Sequence, residues 1–197
     1  MTPEYDLRYL RAGIELLENY LLSQDIYRSL GVGPPAGEPP YPQLTLGWML
    51  LSRRRLQASA VTPAQRSELA RLGAELDATR TRWRVAWGGK ARAEFRPRLN
   101  LWRDFLDEYR AQSEANYDRY GYEVSRRVLL ELLQPEAEGL EKADLDMLSG
   151  LDGLLKALFQ PGEFIWDAAL TPAFPAETYW LGKDLFLYGY SFQKSLF

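Results

Sequence analysis

The chain has 197 residues, 46% hydrophobic content and a net charge of −3, which is long enough for one substantial core and too apolar for wholesale disorder. It holds neither His nor Cys. Disulfides, thiolate nucleophiles, Cys/His zinc sites, Ser-His-Asp and Cys-His catalysis and histidine pH switches are therefore excluded.

Catalysis without those residues would rest on Asp, Glu, Lys, Tyr or Ser, so composition favours a non-enzyme with no cofactor and no metal. The N-terminus lacks a basic start and an apolar run, and no apolar run is long enough to span a bilayer. A soluble, cytoplasmic protein with no membrane contact is the expectation. Charge is segregated along the chain: residues 53–103 carry 13 Lys/Arg against 4 Asp/Glu, residues 1–52 carry 3 against 6, and residues 104–197 carry 8 against 17. A concentrated basic segment either attracts an anionic partner or docks on the chain's own acids.

Thr2-Pro3-Glu4 supplies an N-cap, a proline at the first helical position and an acid in the first turn. Leu7, Leu10, Ile14, Leu17 and Leu21 follow at spacings of three and four, predicting a helix over 3–30 that ends at Gly31. Residues 31–43 hold five prolines and three glycines and read as a loop. Thr45 caps a predicted helix over 46–59. Thr62-Pro63-Ala64-Gln65 is a capping box that opens a third. Gly88-Gly89 and Pro97 interrupt the helical pattern beyond it, predicting one long kinked helix to about 116 or two helices in line. Val124, Val128, Leu129 and Leu132 mark a helix stopping before Pro135. A linker over 136–144 then leads to a last helix over 145–159.

Residues 164–197 hold 10 of the 26 aromatics among prolines and glycines. This reads as an irregular arm with one short helix near 177–187, buried on its own bundle or on a partner. Sheet content should be low. The expected architecture is all-α: an antiparallel bundle of five to seven helices over 1–163, with one long kinked helix, followed by an aromatic C-terminal arm over 164–197.

The densest candidate site is the stretch Arg80, Arg82, Trp83, Arg84, Trp87, Lys90, Arg92, Phe95, Arg96 and Arg98. Arg binds phosphate bidentately and stacks on bases, and Trp stacks too, so this mixture suits a phosphate, nucleotide or nucleic-acid site. The alternative is internal: rings in the core, Arg stems laid over them and guanidinium heads paired with the chain's own acids. An acidic chain without an RNP or GXXG signature favours the internal use. Arg126 and Arg127, near Tyr117, Tyr120 and Tyr122, form a second candidate phosphate pocket. Their spacing to Glu123 and Glu131 reads by default as a solvated salt-bridge ladder.

Glu18, Asp25 and Arg28 lie near the apolar stripe of the first helix, and Glu18 and Asp25 are the candidates for a carboxylate-metal hydrolase; the plainer alternative makes Asp25 and Arg28 a surface i,i+3 pair. Glu15-x-x-Glu18 and Glu141-x-x-Asp144 resemble the paired acidic motifs of all-α nucleotide pyrophosphohydrolases over eight positions. More than 120 residues separate them, which departs from that family's pattern, so membership does not follow. The leading functional expectation is a non-catalytic protein-interaction or self-associating module, whose partner is a protein or a second copy. A nucleotide or nucleic-acid binder is the runner-up.

Overall fold

The computed structural model describes residues 1–59, 61–175 and 187–191. Among them the chain is predominantly helical: α1 (Pro3–Leu22), α2 (Leu46–Ala58), α3 (Pro63–Arg82), α4 (Arg84–Ala111), α5 (Ser113–Asn116), α6 (Tyr120–Leu133) and α7 (Lys142–Leu158). One antiparallel pair joins β1 (Phe159–Phe164) to β2 (Tyr188–Ser191), with an irregular register between Pro161 and Phe164. Two compact units share the chain, residues 1–95 with 131–139 and residues 96–130 with 140–197. No helix among the described residues is long and apolar enough to cross a membrane.

In the first unit α1 begins as its sequence dictates, with the Thr2 hydroxyl accepting from the Tyr5 N–H at 3.3 Å and Pro3 inside the first turn. It ends at Leu22, well short of the expected 30. The cause is Ser23, which takes an extended conformation and turns both its N–H and its hydroxyl back onto the Tyr20 carbonyl, at 3.2 and 2.9 Å. The Tyr20 hydroxyl then donates to the Ile26 carbonyl at 2.7 Å, and Arg28 exchanges backbone hydrogen bonds with Leu44. Asp25 and Arg28 consequently sit in a connecting segment and form no helical i,i+3 pair. Gly13 lets α2 come close: a Cβ there would meet Leu44 Cδ1 at 3.1 Å and Met49 Cε at 3.3 Å.

Both later starts behave as read. Thr45 caps α2, and at α3 the Thr62 hydroxyl accepts from Gln65 N–H while the Gln65 side chain accepts from Thr62 N–H. The helix break in the basic segment, however, falls at Trp83 and not at the glycines or the proline. Gly88, Gly89 and Pro97 all lie inside α4. Burial explains it, because Trp87, Ala91, Phe95, Leu99, Trp102, Leu106 and Tyr109 form an unbroken buried stripe at spacings of three and four. Pro97 leaves the carbonyl of Ala93 without its helical donor, and Ala93 is exposed, so water can satisfy it.

In the second unit Trp102, Phe105, Tyr109 and Tyr120 form an aromatic cluster with ring centroids 5.5 to 6.5 Å apart. α7 starts earlier than expected. The Asp144 and Leu145 N–H groups both return to the Glu141 carbonyl, which places Asp144 in the first turn of a helix instead of in a linker. Of the aromatic stretch, Phe174 is fully buried against Trp166 at 5.3 Å, and Trp166 donates to the Gly121 carbonyl at 2.8 Å. The helix expected near 177–187 lies outside the described residues, apart from Leu187.

Candidate functional site

Arg80 at the end of α3 and Arg84 and Trp87 at the start of α4 line one cleft of about 440 Å³ in the first unit. The opposite wall is the turn after α6, Pro135 to Glu138, with Asp77 and Thr81 at the rim. Glu136 Oε2 forms an ion pair with Arg80 Nε at 2.8 Å and accepts from Trp87 Nε1 at 2.9 Å, while Glu138 Oε1 accepts from Arg84 Nε at 3.2 Å. Three predicted site residues thus meet, and their partners are the chain's own carboxylates. Gly88 is the fitting piece: a Cβ there would lie 2.7 Å from Glu138 Cγ.

Trp83 stands apart from the cleft, its indole N–H buried without a partner among the described residues and the Arg82 guanidinium 5.4 Å from its ring centroid. Arg82 also reaches Glu18 at 3.7 Å. Arg92 is exposed and has no carboxylate partner among the described residues. The Arg53-Arg54-Arg55 triplet is paired with three different segments. Arg53 clamps Asp77 of α3 bidentately at 2.7 and 2.8 Å, Arg54 approaches Glu131 at 3.7 Å, and buried Arg55 clamps buried Asp6 of α1.

Two residues of the same stretch have structural roles that the sequence reading passed over. Lys90 is buried and donates to the Ser23 and Asp25 carbonyls at 2.8 and 2.7 Å, placing positive charge at the C-terminal end of α1, whose last turn has none of its own. Burial pulls its ammonium below the ordinary lysine value, against the attraction of Asp25. One helical turn on, Glu94 is fully buried and accepts the Gly47 N–H on both oxygens at 3.2 Å, capping the start of α2. The available signal was alternating charge at i and i+4 beside an apolar stripe.

In the second unit Arg96 pairs with Asp144 of α7, and Arg126 binds Glu123 at 2.6 Å and the Leu101 carbonyl at 3.1 Å. Arg127 is buried and clamps Asp152 of α7 bidentately at 2.7 and 2.9 Å. The expected solvated ladder is therefore a buried helix-to-helix clamp, with Glu123 also buried between Arg119 and Arg126. Burial drives the Tyr120 phenol well above its ordinary value, and Tyr122 faces solvent.

No family model, curated protein or solved structure matches this chain.

Chemically, then, the basic stretch acts as a set of struts. Glu18 is exposed beside Arg82, Asp25 is exposed beyond the end of α1, and among the described residues no three carboxylates gather as a metal would need. Exposed apolar side chains stand at Val85 and Leu101 of α4 and at Tyr122 of α6.

Proposed function

We propose that this chain is a non-catalytic protein-interaction module of the cytoplasm, an antiparallel helical bundle that self-associates or binds a protein partner. The observation that carries this reading is the fate of the basic block. Of its arginines, 53, 54, 55, 71, 80, 82, 84, 96 and 103 are all ion-paired within the chain, to acids drawn from the N-terminal, central and C-terminal thirds. Cations so neutralised present little positive field to nucleic acid. Contact surface is supplied instead by outward-facing Val85 and Tyr122, 78% and 71% exposed, and the aromatic-rich composition of 164–197 supports the same reading. Light scattering tests self-association: an oligomer that shifts to monomer on Val85→Glu or Tyr122→Glu is expected, and a strict monomer that captures no protein partner overturns the reading.

The second reading, a phosphate or nucleotide binder, draws on Arg92 and on the single-atom grip of Arg80 and Arg84, which engage carboxylates through Nε alone. Its signature is binding to heparin that weakens steeply with salt.

A further inference from the structure

The cleft of Arg80, Arg84 and Trp87 has walls of two kinds. One belongs to α3 and α4; the other is a short acidic turn that reaches the same unit only after 35 residues of the other unit, 96–130, have intervened. That turn is tied locally to the end of α6, where the Glu136 and Ala137 N–H groups donate to the Leu133 carbonyl at 3.0 and 2.9 Å, but its hold on α3 and α4 is mainly polar. Pro135 and Glu138 are exposed, and the one backbone bond to α4, Glu138 N–H to the Gly88 carbonyl, is long at 3.4 Å. Its grip on α3 and α4 otherwise consists of the two carboxylates on Arg80, Trp87 and Arg84 and the packing of the Glu138 stem on Gly88. Neither arginine is bidentate, in contrast to Arg53 on Asp77 and Arg127 on Asp152. Glu136 is nearly enclosed while the Arg80 and Arg84 side chains keep 49% and 80% of their surface. An ion pair as open to solvent as Arg84–Glu138 is one mark of a contact at the low end of local stability.

We propose that this cleft is a docking site for an acidic protein segment, and that residues 135–138 are its resident occupant, showing by their own contacts what the site selects. The ligand class is a peptide with two carboxylates at i and i+2. The first binds between the Arg80 guanidinium and the Trp87 indole N–H, and the second binds Arg84. A partner segment that offers bidentate geometry to either arginine gains a contact that the resident turn lacks. The inference rests on the reading of the chain as an interaction module and names the chemistry of one partner.

The test uses the full chain and a fluorescein-labelled peptide of residues 133–141, followed by anisotropy at low salt. Glu136→Gln/Glu138→Gln, which weakens the resident turn, should bind the peptide at least tenfold more tightly than the wild type. Adding Arg80→Gln/Arg84→Gln should abolish that gain, and a peptide with Gln in place of Glu136 and Glu138 should not bind. Gly88→Ala displaces Glu138 by steric pressure with every charge kept, and it should raise affinity in the same direction; circular dichroism verifies that each variant is folded. Equal affinity across folded variants, or binding indifferent to the peptide's glutamates, overturns the proposal. Binding to heparin but not to peptide overturns it in favour of a general anion site. Either failure leaves the light-scattering result, and with it the broader reading, untouched.

Discussion

Gly88 and Gly89 are adjacent in one helix and have opposite roles. A methyl group on Gly88 would collide with the near end of the Glu138 side chain, whereas nothing lies within 4 Å of the corresponding position on Gly89. Gly89→Ala should therefore stabilise the protein by about 0.5–1 kcal/mol through helix propensity alone, while Gly88→Ala should lose that gain or reverse it. Urea midpoints of the two variants decide this. Buried and exposed arginines should differ as sharply. Asp6→Ala strands the Arg55 guanidinium in the core and should cost about 3–5 kcal/mol, whereas removing Glu75 from its exposed pair with Arg71 should cost less than about 0.5 kcal/mol. The sequence marked both arginines as basic and offered no means of telling them apart, because the difference lies in which helix packs over each.

Elements were legible where signals were local. The capping box of α3 needs only four consecutive residues, and Thr62→Ala should cost about 1 kcal/mol by thermal denaturation. The end of α1 was not legible, since it depends on Ser23 turning back and on Lys90, 67 residues away, reaching the Ser23 carbonyl. The position of the break between α3 and α4, at Trp83, was hidden for a related reason. Glycine and proline are read as local breakers, yet a buried stripe of seven residues from Trp87 to Tyr109 outweighs them. Glu94 belongs at this scale as well: it caps a helix from a different helix, and Glu94→Ala should cost about 2 kcal/mol by leaving the Gly47 N–H buried and unsatisfied.

Across the whole molecule, charge segregation along the sequence becomes charge mixing in space. Arginine-to-carboxylate struts join α1 to α2, α2 to α3 and α6 to α7, so much of the positive charge over 53–103 is set against the chain's own acids. Composition showed the imbalance; the pairing needed the fold. The α2–α3 strut also contributes on the acid side. Arg53 holds the Asp77 carboxyl below the usual carboxylate range. An acid with a lowered native pKa binds fewer protons folded than unfolded, so its contribution is complete above about pH 4 and fades as pH falls through the native value. Stability should drop on that acid side, and Asp77→Asn should flatten the drop. Urea midpoints between neutral and acidic pH provide the check.

The measurement that bears most directly on the account is binding of single-stranded DNA or heparin to the wild-type chain at low salt. Internally paired arginines predict no binding at about 50 mM salt. Tight binding that weakens steeply as salt rises, with a log–log slope corresponding to several phosphate contacts, would show that the basic block faces outward and would contradict the account.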